Sequence, residues 1–568
     1  MNKNILTNNK INPNKVILVA LHPNTFPLIG ESQGICAISG YLQYHFEDIN
    51  ISTFDMQLHS LDEVVIAVKN ERPAIIGISL KLQTLNQFFL LYKKIKKNIT
   101  KNERPLIVIG NAIANYQGEL LIQKYFNDII VSYGEGEIVL YDLYLFVNGK
   151  LNFSEVRNIV YRKNNTICSN TKEDLDLKYL VIPDRTNTRI FYDLGGEIYI
   201  EGSRGCTYRK CSICSNINLT CQLKNYRKWR YRNTSFIVKD LKNLQKMKIN
   251  RVTFTDEDFF GNNIKRIDRL ASKIMNSNLN ISFRINLRVK SVYDNNDSKY
   301  LQNEKAKVLE NLKNAGLVKI FVGLESGVKT QLKRYKKNFR IDEFKEAIKL
   351  LKKLNIEYEV GYILIDPLLK FYELKESLNF LEKENIICNV SSIFKELRLQ
   401  LGIPYINLLK NYEKDKRVKI LGKINLNSLK YKVNFYIDKD VEFIVQFFRK
   451  WTNFFYKFNY LVRIHTQYIN ESNFSNDVIF STILDFKLIE FDLLKKFVHL
   501  IENKGHDLKK AYELMLEYEY RRRSLVNNIA KFLLEDNKYS NKKEALVVEI
   551  NKYFKYSDLY MYDINKIQ

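Results

Sequence analysis

The sequence predicts an α/β chain: an N-terminal doubly wound, Rossmann-like unit, a central partial (βα)6 TIM barrel, and a mainly helical region behind it. Three observations carry this. Between residues 15 and 132, five short apolar runs alternate with stretches of helical period. Between 197 and 401, six more runs do so at longer spacing, and beyond Pro404 only the helical period remains. Runs that are apolar throughout, with no alternation of apolar and polar residues, belong to strands buried on both faces, as in parallel sheets.

The first unit is placed at 1–146. Its strands are expected at Lys15–Leu21, Ile49–Asp55, Ala74–Leu80, Pro105–Gly110 and Asp128–Ser132, with helices near 34–44 and 61–69. Gly77, Ser79, Gly110, Asn111, Gly134, Glu135 and Gly136 fall at or just after strand ends, where open α/β sheets bind ligands. Residues 147–193 read as a linker hairpin, Asn158–Arg162 and Thr166–Cys168 around a turn at Lys163–Asn165. The barrel is placed at 194–404, with strands at Glu197–Glu201, Arg251–Thr255, Ile281–Asn286, Lys319–Gly327, Tyr358–Ile365 and Val390–Leu401. In such barrels the site lies at the carboxyl ends of the strands. The helical region is placed at 405–568, where Ile444, Phe447, Phe448, Trp451, Phe454, Phe455, Phe458 and Leu461 make one apolar stripe, read as core or lid packing ahead of a substrate-binding groove.

With 568 residues and a 45% hydrophobic fraction the chain can bury several cores. No run approaches a membrane span, and Met1–Thr7 lacks the apolar segment of a signal peptide, so a cytoplasmic protein is expected. The formal charge of +27 comes from lysines strewn over every region, with no RNA-binding module, so a nucleic-acid partner is not expected. Two basic clusters stand out, Lys224–Arg232 and Arg521–Arg523.

Chemistry concentrates in the run Gly202–Ser215, which holds Cys206, Cys211 and Cys214 directly after the first barrel strand. The other four of seven cysteines, Cys36, Cys168, Cys221 and Cys388, are scattered, so a disulfide framework is not indicated. Closed structural zinc requires four ligands, whereas an iron-sulfur cube held by three thiolates keeps one iron open to a small molecule. Cys221, seven residues after Cys214, makes a fourth zinc ligand conceivable, and a zinc-stabilised binding protein stands as the reading from another class.

The cysteine run, Thr255–Gly261, Ala315-Gly316 with Val322–Gly327, and Val360–Pro367 together resemble the radical S-adenosylmethionine (radical SAM) superfamily in content, order and spacing. The N-terminal unit, ending in Ser132–Glu137 and followed by Ile182–Arg185, is similar to the cobalamin-binding domain of one large branch of it. The resemblance covers about 1–405. Two departures appear: four residues, Thr207–Lys210, stand between the first two cysteines where the family commonly has three, and Ile213 stands where an aromatic residue is usual. A histidine ligand to cobalt would stand two residues after Asp55, but His59 stands four after it.

The resemblance implies that Cys206, Cys211 and Cys214 hold a 4Fe-4S cluster whose open iron is chelated by S-adenosyl-L-methionine. It implies further that Asp256, Glu257 or Asp258 meets the ammonium of that molecule, Arg284 or Arg288 its carboxylate, Glu325 its ribose with Gly323 and Gly327 beside it, and Ile213 its adenine. Gly77, Ser79, Gly110, Asn111, Gly134, Glu135 and Gly136 would line a slot for cobalamin. The implied activity is a cobalamin-dependent radical SAM C-methyltransferase acting on an unactivated carbon of a peptide or other natural product. Its electron would come from a donor such as flavodoxin or ferredoxin. A non-methylating radical enzyme, performing epimerisation, cyclisation or rearrangement, is the alternative.

Overall fold

The computed structural model describes residues 10–23, 29–215, 229–466, 478–535 and 540–567. Cys221 and residues 224–228 of the first basic cluster lie outside them.

Five parallel strands build the N-terminal sheet: β1 (Asn12–Ala20), β2 (Asn50–Asp55), β3 (Pro73–Ser79), β4 (Leu106–Gly110) and β5 (Ile129–Ser132). The hairpin β6 (Ile159–Lys163) and β7 (Thr166–Ser169) continues the same sheet antiparallel, in the order β2-β1-β3-β4-β5-β6-β7. Val131 pairs with Val160 in that extension. Successive residues of each run face opposite layers: Ile17, Val19, Ile76, Ile78, Ile107 and Ile109 enter one core, and Val16, Leu18, Ile75 and Val108 the other. Both faces are therefore dry, which is why the runs carry no polar alternation.

The second sheet is parallel, in the order β14-β13-β12-β11-β8, from β8 (Tyr199–Ile200), β11 (Arg251–Phe254), β12 (Ser282–Leu287), β13 (Leu317–Glu325) and β14 (Glu357–Tyr362). Between β8 and β11 a short antiparallel pair, β9 (Ser203–Gly205) with β10 (Trp229–Tyr231), forms the base of the cysteine loop. The sixth strand expected over Val390–Leu401 is reduced to isolated bridges at Val390, Glu396 and Gln400. Within this stretch Phe394 donates its N–H to the carboxylate of Glu490, on the helix Val478–Lys504 of the helical region, and not to a neighbouring strand.

Two devices join the units. Arg185 is buried, with Nη2 at 2.8 Å from Asp240 of the barrel helix Thr234–Lys246 and a second ion pair to Glu31, just before the helix Gln33–His45 of the N-terminal unit. A hairpin, β15 (Leu421–Asn425) and β16 (Lys430–Val433), reaches back from the helical region, and its Leu429 is fully buried in the N-terminal core.

The aromatic stripe is core. Ile444, Phe447, Phe448 and Trp451 join the barrel's hydrophobic core, and Phe455 and Phe458 a smaller one. Arg522 is buried against the ring of Trp451, 4.0 Å from its centroid, and pairs with Glu519, itself fully buried. Arg521 and Arg523 pair with Asp492 and Asp558. The second basic cluster is thus engaged within the helical region. Among the described residues no helix is long and apolar enough to cross a membrane.

Candidate functional site

The cysteine loop leaves β9 and is gripped from four sides. Ser212 donates its N–H to Tyr335 O (2.9 Å) and its hydroxyl to Arg334 O (2.6 Å). Tyr405 N–H donates to Ser212 O at 2.7 Å, Tyr208 donates to Lys336 O at 2.6 Å, and Thr207 donates to Asp258 at 3.1 Å. From the N-terminal unit, the Tyr116 hydroxyl donates to Ser215 O at 2.9 Å. Cys206, Cys211 and Cys214 are half-buried and none of them is in a disulfide. Burial pushes the Cys211 thiol up to about 11, Lys337 opposes this, and Cys214 and Cys206 add to it, so the three sulfurs share one neighbourhood. Among the described residues no three His, Cys, Asp or Glu side chains close around a single ion. A cluster has its irons at separate corners, so its thiolates need not meet at one point, and a loop of three half-buried thiols, whose thiolate forms would repel one another, beside cationic Lys337 and Arg288 fits it.

Of the three acids after β11, two serve other purposes than those expected. Asp256 is fully buried; its carboxylate accepts Gly202 N–H at 2.8 Å and the Ser203 hydroxyl, pinning the entry to the cysteine loop, and burial raises it to about 7. Asp258, also fully buried, accepts from Arg288 Nε at 2.7 Å, the Ser291 hydroxyl at 2.8 Å and the Thr207 hydroxyl. Glu257 is exposed and accepts Gly205 N–H at 2.9 Å. Arg288 sits at the carboxyl end of β12 near Cys206 and Cys211. Arg284 lies deeper within β12, 3.8 Å from Glu197 and 3.6 Å from Glu359, away from the loop.

Glu325 ends β13 with φ +73°, a left-handed conformation that a residue with a long side chain rarely adopts and that costs about 1–3 kcal/mol. Its carboxylate lies 3.5 Å from Lys337 Nζ. A Cβ on Gly323 would stand 3.1 Å from that carboxylate, so Gly323 opens the space beside it. Gly327 faces the other way: a Cβ there would meet the Phe380 ring at 2.1 Å, and its N–H donates to the Tyr362 hydroxyl, so it is a packing glycine. Ile213 packs at the margin of a core containing Tyr335, Leu399 and Tyr405. Lys337 has no signal in the sequence beyond being one more lysine in a lysine-rich chain; only the fold brings it to Glu325 and Cys211.

All seven N-terminal candidates, Gly77, Ser79, Gly110, Asn111, Gly134, Glu135 and Gly136, line one cavity of about 480 Å³, in the range of small-molecule sites. It lies at the carboxyl ends of β1, β3, β4 and β5, and Glu201, Arg204, Gly205 and Glu257 of the barrel close its far side. Asn111 has φ +74° and donates to Ser79 Oγ at 3.0 Å; asparagine tolerates the left-handed region that glycine would occupy there. Gln33, on the cavity wall, has both ends of its amide buried and unpartnered, an unmet demand for a polar ligand. His59 is directed elsewhere, its Nδ1 3.1 Å from Asp55 O.

Arg204 spans the two units. Its guanidinium lies 2.9 Å from Glu135, 2.6 Å from Glu137 and 2.7 Å from Glu201. Arg230 adds a second contact to Glu135 at 2.8 Å. Burial would raise Glu135, but the two guanidiniums bring it down to about 2.

Residues 200–381 match the Radical SAM superfamily. A 4'-phospho-dehydrooxetanocin synthase of Priestia megaterium is 26% identical over 377 residues, 64% of this chain and 50% of that protein, so the chain spans about half the length of that relative. The solved structure of OxsB, a cobalamin-dependent S-adenosylmethionine radical enzyme with aqua-cobalamin and S-adenosylmethionine bound, is similar with a TM-score of 0.80 at 21% identity, over 95% of this chain and 83% of that one. The radical SAM methyltransferase TsrM of Kitasatospora setae gives a TM-score of 0.56 at 14% identity, over 70% and 76%.

Proposed function

Because residues 200–381 are a radical SAM domain in a chain with the fold of cobalamin-dependent radical SAM enzymes, we propose that this protein is such an enzyme and that it methylates an unactivated carbon of a peptide or other natural-product substrate. One observation carries the reading: Arg204 and Gly205, immediately before Cys206, line the same cavity as the seven strand-end residues of the N-terminal sheet. A cofactor in that cavity and a cluster on the cysteine loop would be neighbours.

When bound, the cluster would supply an electron that cleaves SAM to methionine and a 5′-deoxyadenosyl radical, and cobalamin would supply the methyl group. The residues do the rest by placement. Cys206, Cys211 and Cys214 would hold the cluster as thiolates. Glu325, with space opened by Gly323, would accept from the ribose hydroxyls of SAM, and Lys337 or Arg288 would face its carboxylate. Glu257 remains the carboxylate for its ammonium, because Asp256 and Asp258 hold the loop instead. Gly110, Asn111, Gly134 and the unpartnered amide of Gln33 would receive the amide-edged corrin and its tail. The electron would come from a flavodoxin- or ferredoxin-type donor, and the protein would work in the cytoplasm.

The test is anaerobic reconstitution with iron, sulfide, SAM and cobalamin, followed by a strong reductant and quantification of 5′-deoxyadenosine and S-adenosylhomocysteine. Both products support methyl transfer. Deoxyadenosine alone moves the assignment to non-methylating radical chemistry, and a colourless zinc-containing protein ends it.

A further inference from the structure

We propose that Tyr116 is a positioning residue that transmits occupancy of the N-terminal cavity to the cysteine loop. This rests on the reading that the cavity takes cobalamin and that the three cysteines hold a cluster. The helix Asn111–Lys124 begins in the cavity: Asn111, Ala112 and Asn115 are part of its wall. Asn115 Oδ1 accepts the Gly134 N–H at 3.0 Å, which ties this first turn to the loop after β5 on the same wall. One residue further, Tyr116 leaves the cavity and reaches the barrel, where its hydroxyl donates to Ser215 O, the carbonyl next after Cys214.

The ring has one place to lie. Gly402, at φ +92°, would put a Cβ 2.2 Å from a ring carbon of Tyr116, so only glycine lets the phenol pass to the loop. The following residue, Gln117, is buried and donates to Leu426 O at 3.2 Å, which fixes the same turn of helix to the hairpin between β15 and β16. A short, doubly anchored helical turn therefore has the cavity at one end and the cysteine loop at the other. A molecule resting on Asn111–Asn115 restricts that turn, and the loop that must open to release iron opens less often. By linkage the effect is mutual: a loop held closed by its cluster favours the bound cavity equally.

The experiment measures iron release from the anaerobically reconstituted 568-residue chain to a ferrous chelator, with and without hydroxocobalamin. Iron content and the hydroxocobalamin absorption band are recorded first for parent and variants. Hydroxocobalamin is expected to slow release from the parent on the order of fivefold. In Tyr116→Phe, which keeps the ring and removes only the hydroxyl, the same bound hydroxocobalamin is expected to leave the rate unchanged. Gly402→Ala, which keeps the hydroxyl but displaces the ring, is expected to lose the protection as well. Full protection in Tyr116→Phe, or a parent rate indifferent to bound hydroxocobalamin, overturns the proposal. A parent that takes up no iron or no hydroxocobalamin overturns the underlying reading, and the preliminary measurements distinguish that failure from the others.

Discussion

Arg204 Nη1 lies 2.9 Å from Glu135 Oε1, so the last residue but one before the cysteine triad is bonded to the glycine-rich turn of the other unit. Glu137 and Glu201 share the same guanidinium and are largely buried, at 4% and 13% side-chain exposure. Removing the arginine would leave three crowded carboxylates without the guanidinium they share, with Arg230 reaching Glu135 and Arg232 lying near Glu201. Arg204→Gln is expected to destabilise the protein by about 3 kcal/mol, and Arg204→Lys by less, since a lysine keeps the charge but loses the fork. Chemical denaturation followed by intrinsic fluorescence checks this; equal stability of all three proteins would show that the cluster of charges is already compensated.

Cys206→Ala, Cys211→Ala and Cys214→Ala are each expected to lose most of the iron after anaerobic reconstitution and all reductive cleavage of SAM, while Cys388→Ala keeps both. Iron analysis and the visible absorption band provide the readout. A single triad variant with full iron would remove that cysteine from the ligand set.

Asp256 yields a prediction about pH. Its carboxyl is raised from the ordinary 3.8 to about 7 in the folded protein, mainly by burial, so the folded state favours the protonated form. The stability it contributes is present below pH 4 and is lost as pH rises toward 7, on the order of 4 kcal/mol in all. Asp256→Asn lacks this titration. The stability difference between parent and variant should therefore shift in favour of the variant between pH 5 and pH 8, and a difference independent of pH would show that the Gly202 and Ser203 donors keep the carboxylate charged throughout.

Glu325 and Lys337 are expected to act on SAM binding together. Glu325→Ala should weaken it about tenfold, the loss of one charge-assisted hydrogen bond. Lys337→Ala should weaken it too, and the double variant by less than the product, because each shapes the other's position. Equilibrium binding of SAM to the reconstituted protein measures all three, and unchanged binding in Glu325→Ala would end its ribose role.

In the helical region, Arg522→Ala would leave Glu519 buried with only neutral partners: Trp451 Nε1 at 2.7 Å, the Tyr553 hydroxyl at 2.7 Å and the Ser557 hydroxyl. A loss of about 3–5 kcal/mol is expected, seen as a lower denaturation midpoint. A midpoint within experimental error of the parent would mean the carboxyl takes up a proton at little cost.

The parallel strands were legible because strands covered on both faces must be apolar throughout, and Ile75-Ile76 or Ile107–Ile109 have no other reason to be so. The cysteine triad was legible because its spacing is local. What escaped were relations between distant segments. Nothing near Phe394 announces that Glu490 will take its N–H, so the sixth strand read as continuous. Nothing in Asp256-Glu-Asp258 says which carboxylates are buried; adjacent residues on an irregular loop point in different directions, and only packing decides among them. Lys337 and Tyr116 gain their positions from long-range closure, to which a periodicity within one window is blind.

Leu429 has a consequence for how the chain is made. It is fully buried in the N-terminal core with Val131 and Val160, yet it follows Val160 by roughly 270 residues. At ~5–20 residues per second of synthesis, the first sheet waits roughly 15–50 s on the ribosome with a gap in its core before the residue that fills it is made. During that interval the nascent N-terminal unit exposes an apolar notch where the hairpin will dock, and a chain terminated anywhere before β15 would carry that notch permanently.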